Sequence, residues 1–292
     1  MKPIASSAAL VALAACTSIS AQTVPVEPTA YRCTTVPWLE AGKPLVRASV
    51  NGRELTFLVD TGAEYDGWIK PEIAQELGMP VVGSVPSEGE DDPTGGVPFY
   101  GAASFTLGAI TFSDRRLGEM PEIGPKGQMF DGIIGNGLFA DMQAAFDYER
   151  GVLQATDLKL DKGSTVPFDK YGIPVLTLDI GGVPAEVHLD TGNLASRLFV
   201  TAETAGKLAI VGEPEVKGRA MTVSGAFEVI EGRIAGAVRY GDTTLPITAV
   251  RWPGAYDSGQ LGSQGLAGQT VRVDWRNRRV AIMPEADAPT CD

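Results

Sequence analysis

The sequence holds one histidine, His188, among 292 residues. That disfavours a catalytic zinc, which usually takes histidine ligands, and leaves a single candidate base for a Ser-His-Asp triad. Positive charge is also scarce. Twenty-four Lys and Arg face 36 Asp and Glu, for a formal charge of −12. With no Lys/Arg cluster to neutralise phosphates, nucleic acid is excluded as a partner. Beyond the N-terminus no run approaches 18 apolar residues, so the mature chain is not expected to span a membrane. Only three cysteines are present. Glycine and proline are abundant, at 35 and 20 residues. So many turn-formers favour short strands over long helices, and 44% hydrophobic with 21% charged residues excludes global disorder.

Residues 1–21 read as a secretory signal peptide. Lys2 supplies the positive charge and Ile4–Cys16 the short apolar run. Two endings stay open. Leu13-Ala14-Ala15-Cys16 is similar to a bacterial lipobox, in which Cys16 is lipidated and anchors the chain; the other is cleavage after Ala21. Either way the protein is exported, to the periplasm or as an outer-membrane lipoprotein. Cys33 and Cys291 then remain, one near each end, and are expected to form a disulfide in that oxidising compartment. It closes nearly the whole chain and contributes about 2–4 kcal/mol.

The chain repeats itself. Pro44 to Gly62 lies over Pro174 to Gly192 at an offset of 130 without gaps. Each copy reads as strand, tight turn at Asn51-Gly52 or Gly181-Gly182, and second strand ending in Asp-Thr-Gly. Trp68–Gly78 and Leu198–Leu208 each read as one short helix. Leu107–Asp114 lies over Ala235–Asp242 as a further hairpin, and Asp131–Gly135 over Ser258–Gly262. Asp147-Tyr148 and Asp274-Trp275 close the two copies with a turn and a strand. The boundaries that follow are an N-terminal segment 22–37, a first lobe 38–162, a second lobe 163–285 and a tail 286–292.

Leu58-Val59-Asp60-Thr61-Gly62-Ala63 resembles the active-site loop of aspartic proteases, and its trailing alanine resembles the retropepsin branch. Asp131-Gly132-Ile133-Ile134-Gly135 is similar to the hydrophobic-hydrophobic-Gly segment that underlies that loop. The resemblance covers about residues 44–283 and is closest to bacterial retropepsin-like proteins with two lobes in one chain. It implies an all-β, bilobal pepsin/retropepsin-like acid protease fold with duplicated lobes and short helices. It implies an aspartic endopeptidase whose water is activated between Asp60 and Asp190, with no cofactor or metal. The partner is a peptide or protein substrate, and a monomer is expected.

The chemistry needs both loops. Hydrolysis of an amide needs a base for water and a proton for the carbonyl oxygen, which one ionised and one protonated carboxyl supply together. Carboxyls about 3 Å apart share one proton, a split titration for which aspartic proteases are themselves the type case. Gly62 and Gly192 permit close approach of the loops. By resemblance, the Thr61 and Thr191 hydroxyls bond across to the opposite loop. A covering flap is also implied, with Gly95, Gly96 and Gly225 as hairpin-tip candidates. Tyr100 stands 40 residues after Asp60, similar to the flap tyrosine of pepsin-like enzymes; the favoured alternative is a tyrosine packed on its own sheet.

Two positions depart from the family pattern, Asn193 after the second Asp-Thr-Gly and Gln260 in the second underlying segment. They motivate a rival reading, a catalytically inactive peptide-binding module on the same fold. A carboxylate-pair glycoside hydrolase is the other rival and needs carboxyls about 5 Å or more apart. His188 is expected to be a hydrogen-bonded structural histidine. Glu88, Glu90, Asp91 and Asp92 read as a solvated acidic loop, and Arg276, Arg278 and Arg279 as a solvated turn.

Overall fold

Alternation of apolar and polar residues sets the strands. Leu45–Val50 and Val175–Ile180 bury every second side chain, and each folds back through a two-residue turn onto Arg53–Val59 or Val183–Asp190. The turns have positive φ at both central residues, Asn51 (49°) with Gly52 (85°) and Gly181 (59°) with Gly182 (91°). That geometry matches the natural twist of paired strands, and asparagine and glycine adopt it most readily. The computed structural model describes residues 31–85, 96–120, 129–222, 225–253, 258–284 and 291. The signal peptide, Cys16, Gly95 and the acidic cluster at 88–92 lie outside the described residues, as does most of the tail 286–292.

The fold is all-β, with three sheets and two short helices, Pro71–Glu76 and Ala202–Ala205, among the described residues. The seven-stranded sheet is built from first-half strands and the nine-stranded sheet from second-half strands. In both, the strand leading into Asp-Thr-Gly runs parallel to the downstream segment. Phe57 pairs with Gly132, and Val187 with Gly259. The six-stranded sheet draws on both halves in mirrored order: Cys33–Pro37, Val152–Thr156 and Gln143–Asp147, then Thr270–Asp274, Arg279–Met283 and Ser164–Thr165. At its centre Gln143 pairs with Asp274 and Asp147 with Thr270. Shifted by 127 residues, each of those pairs becomes the other. The register thus describes a local twofold axis through the Ala145–Arg272 pair.

Three placements differ from the sequence reading. Both expected helices are shorter, because Gly67–Ile69 and Leu198–Phe199 are strands caught against the underlying segments. Cys33–Pro37, placed by sequence in a leading segment, is an edge strand paired with Val152–Thr156. The second repeated hairpin is offset by five residues. Ser49 pairs with Thr106, whereas Asp179 pairs with Arg239, so Leu107–Ile110 corresponds to the turn Tyr240–Thr243 rather than to Ala235–Val238. The similar Gly-Ala pairs at 108–109 and 236–237 drew the sequence alignment to the wrong turn.

Buried aspartates hold the closing turns. Asp147 accepts the Glu149 and Arg150 amides, and Asp274 accepts those of Leu160 and Asn277. The arginines after Trp275 act as turn ties: Arg276 donates to the Asp157 carbonyl and Arg279 to that of Gly163. Cys33 and Cys291 form a disulfide across a separation of 258 residues, with Cα atoms 5.6 Å apart. A disulfide of this kind belongs to an oxidising, non-cytoplasmic compartment. No described helix is long and apolar enough to cross a membrane.

The bridge ties Cys291 to an edge strand, so its loss acts through the unfolded chain and the sheet edge together. Cys291→Ser is expected to lower unfolding stability by about 2–4 kcal/mol, read as a shift in denaturant midpoint with reductant as the matching control. An unchanged midpoint would contradict the assignment.

Candidate active site

Each half delivers one carboxyl at the end of a buried strand. Val59 and Leu189 are fully buried, and the chain turns sharply after Asp60 and Asp190. The turns are closed locally, Ala63 N–H to the Asp60 carbonyl and Asn193 N–H to that of Asp190, at 3.2 Å each. The underlying segments fit closely beneath. A Cβ on Gly135 would stand 2.9 Å or less from the carbonyl oxygens of Ala63, Glu64 and Tyr65. One on Gly262 would come within 2.7 Å of those of Asn193 and Ser196. Only glycine fits either place.

The threonines cross-link the two loops. The Thr61 hydroxyl donates to the Leu189 carbonyl at 2.6 Å and accepts the Thr191 amide at 3.1 Å. The Thr191 hydroxyl donates to the Val59 carbonyl at 2.9 Å and accepts the Thr61 amide at 3.0 Å. Both threonines are buried, and each hydroxyl satisfies one donor and one acceptor of the opposite half.

This lock brings the carboxyls of Asp60 and Asp190 together, hydrogen-bonded to each other. Asp60 Oδ1 also accepts the Gly62 amide at 2.7 Å and, from across the axis, the Gly192 amide at 3.1 Å. Asp190 Oδ1 accepts the Asn193 amide at 2.8 Å. A Cβ on Gly192 would fall 2.2 Å from the Asp60 carboxyl carbon, and one on Gly62 would fall 3.0 Å from that of Asp190. Both aspartates are partly accessible, and Asp60 lines a cleft of about 370 Å³.

The electrostatics are unequal. Burial pushes the Asp60 carboxyl up, while the Gly62 and Gly192 amides and the bond from Asp190 pull it back. Burial pushes Asp190 well above the usual carboxylate range, and the charge of Asp60 adds to that rise. The arrangement can hold one proton between two carboxyls, which titrate as a pair.

The two departures from the family pattern meet. Asn193 Nδ2 donates to Gln260 Oε1 at 3.1 Å. The corresponding first-half residues are Ala63 and Ile133, an apolar pair. One polar contact thus stands where the first half has apolar residues, and Asn193 keeps its amide on Asp190.

Sequence reading overlooked a supporting layer. Ser263 donates to the Thr191 carbonyl at 2.7 Å and lies 2.8 Å from the Tyr148 hydroxyl, which burial makes a weaker acid than usual. At the related place, Asn136 donates to the Tyr171 carbonyl at 2.9 Å and Trp275 to the Gly172 carbonyl at 3.2 Å. The available signal was positional. Asn136 and Ser263 each follow the glycine of the underlying segment, and Tyr148 and Trp275 each follow a repeated aspartate.

The remaining candidates lie elsewhere. His188 Nε2 stands 3.3 Å from Asp169 Oδ2, so it is a paired histidine on the strand leading to Asp190. Tyr100 is buried in the core of its own sheet, and its hydroxyl donates to Glu119 at 2.5 Å. Burial and that carboxylate push it up to about 12. Its ring is held there, so the flap role considered for it gives way to packing. Gly96 precedes the strand Val97–Leu107, whose Val97 pairs with Val85. Gly225 opens Gly225–Ile234 and pairs with Thr222. Among the described residues no group of three or more His, Cys, Asp or Glu is placed to hold a metal ion.

Residues 46–138 match the model of the family described as aspartyl protease. The matched segment contains Asp60-Thr61-Gly62 and Asp131–Gly135, the residues on which the resemblance rests, and ends before the second half. The first half thus carries an aspartic protease family's pattern within an all-β fold. No curated protein matches the chain.

Thr191→Val keeps the volume and leaves the Val59 carbonyl and the Thr61 amide without their buried partner. It is expected to cost about 1–3 kcal/mol in unfolding stability, measured by chemical denaturation; a neutral substitution would contradict the interlock. Asn193→Ala and Gln260→Ile are expected to be coupled. The double variant should lose less stability than the two single losses added together, by about 1 kcal/mol. Strict additivity in a double-mutant cycle would separate the two residues.

Proposed function

We propose that the chain is an exported aspartic endopeptidase with two lobes, 38–162 and 163–285, each contributing one catalytic carboxyl. Asp60, ionised, takes a proton from a water held against both carboxyls. The water oxygen attacks the peptide carbonyl carbon as Asp190 gives its proton to the carbonyl oxygen. Collapse of the tetrahedral intermediate breaks the C–N bond. The proton gained by Asp60 passes to the leaving nitrogen, and the hydroxyl proton of the intermediate returns to Asp190. The carboxyls end with one proton between them, as they began. Thr61, Thr191, Gly62 and Gly192 hold the geometry, and the extended peptide binds by backbone hydrogen bonds in the cleft.

The observation that carries this reading is the contact between two hydrogen-bonded carboxyls supplied by equivalent loops, which the crossed threonine bonds and the Gly192 amide on Asp60 hold together. It supports the proteolytic reading over a glycoside hydrolase, whose carboxyls must stand about 5 Å or more apart. The inactive peptide-binding module rested on Asn193 and Gln260. Their mutual bond leaves the Asp190 loop closed in the same way as the Asp60 loop, which favours the active reading. The disulfide supports export. Within that, we propose a periplasmic or outer-membrane setting, reached by lipidation of Cys16 or cleavage after Ala21, and a monomer acting on peptide or protein substrates.

Asp60→Asn and Asp190→Asn are each expected to lower peptide-library cleavage by about 10²–10⁴-fold. Turnover retained in both variants would refute the mechanism, and inhibitor or peptide binding without turnover in the unaltered protein would establish the binding module instead.

Stability should respond in the opposite sense. The Asp190 carboxyl is raised in the folded state, so its contribution is fully present below the ordinary carboxylate pKa and is lost as pH rises through the folded value. Asp190→Asn removes that loss. Its melting temperature relative to the unaltered protein should therefore climb as pH rises from the ordinary carboxylate range towards neutrality. A difference that stays constant with pH would contradict the raised carboxyl.

A further inference from the structure

The local twofold is broken beside the carboxyls. The cleft next to Asp60 has walls from both halves: Ala63, Glu64 and Trp68 from the first, and Tyr171 and Ile173 from the second. At an offset of 130, Tyr171 corresponds to Ala41 and Ile173 to Lys43, while Trp68 corresponds to Leu198. The aromatic bulk therefore gathers beside Asp60, and the positions related to it by the repeat hold smaller, aliphatic or charged residues.

The wall is built rigidly. Asp169 Oδ1 accepts the Tyr171 and Ile173 amides, both at 2.9 Å, and Asp169 Oδ2 faces His188. The Tyr171 carbonyl is held by Asn136, and the Gly172 carbonyl by Trp275. Both anchors come from the layer beneath the active-site loops. Lys170 Nζ lies 4.4 Å from the centre of the Tyr171 ring. Trp68 is backed edge-on by Tyr65, centroids 5.9 Å apart, and at a tilt of 45° by Phe99 at 6.1 Å. Preformed aromatic walls around about 370 Å³ suit an apolar side chain, and they lose little order on binding it.

We infer that Tyr171, with Ile173 and Trp68, is the specificity determinant on the Asp60 side: it takes a large aromatic or branched aliphatic side chain of the peptide on one side of the reacting bond. The position across the axis, where the repeat places Ala41 and Lys43 in correspondence with Tyr171 and Ile173, does not share that preference. Asp169 is a positioning residue for this wall. The inference rests on the peptide-cleft reading above, with Tyr171 as the residue that makes the two sides unlike.

Binding and cleavage test the two readings separately. Peptides differing only at the two residues flanking one bond, as Phe, Leu or Ala, are titrated against the full chain while Trp fluorescence is followed. Trp68→Phe supplies the background of the other tryptophans, and cleavage of the same peptides is scored by mass. Tyr171→Ala is expected to weaken the Phe and Leu peptides about 10-fold at one flanking position, to leave the Ala peptide within about twofold, and to leave the other flanking position unchanged. Tyr171→Phe should keep the preference, and Ala41→Tyr should create a second preference at the other position. An equal loss across all peptides, or an unchanged preference in Tyr171→Ala, overturns the inference. Should Tyr171→Ala fail to fold, Ile173→Ala and Ala41→Tyr carry the same two outcomes. Selective binding without cleavage by the unaltered protein removes the endopeptidase reading and leaves this pocket standing; cleavage without side preference does the reverse.

Discussion

Two carboxyls that would repel in water are held in hydrogen-bonding contact, and the surrounding structure is organised to keep them there. Bringing like charges together in a buried site is unfavourable unless a proton is retained between them. The compensation is local and specific. Three backbone amides, from Gly62, Gly192 and Asn193, point at carboxylate oxygens. Two threonine hydroxyls pin each loop to the backbone of the other, so neither carboxyl can withdraw without breaking buried bonds in both halves.

The surrounding architecture follows from that demand. A six-stranded sheet shared between the halves fixes the axis, and its central register is self-equivalent under the repeat. The segments beneath the loops must then approach to within contact of carbonyl oxygens, which is why they end in glycine. Symmetry is kept where it sets the pair and relaxed around it. Tyr148 reaches Ser263 on one side, while Trp275 stacks on Phe139, centroids 5.6 Å apart, on the other. Asn193 with Gln260 shows the same latitude, placing a polar contact where the first half is apolar without releasing Asp190.

Much of this was legible because it is local or repeated. The turns at Asn51-Gly52 and Gly181-Gly182 declare themselves through residues suited to positive φ, and the gapless 130-residue offset exposes the duplicated loops. What was not legible depends on distance through space. The mis-set hairpin at Ala235 arose because Gly-Ala recurs in sequence, whereas the true equivalence is set by pairing of Asp179 with Arg239. Trp68 and Leu198 looked like the beginnings of helices because their side chains are apolar in a helical spacing; pairing with the underlying segments made them strands instead. Tyr171 carried no motif. Its place in the cleft comes from Asp169, Asn136 and Trp275, residues that no sequence window contains together.

The central claim is that Asp60 and Asp190 hold a single proton between them across the axis. Carbon-13 NMR of the aspartate carboxyls, followed against pH in the unaltered protein and in Asp60→Asn, reads this directly. The account predicts one carboxyl titrating well above the ordinary range, with its pKa falling when the Asp60 charge is removed. Two carboxyls titrating independently in the ordinary range, unaffected by the substitution, would contradict it.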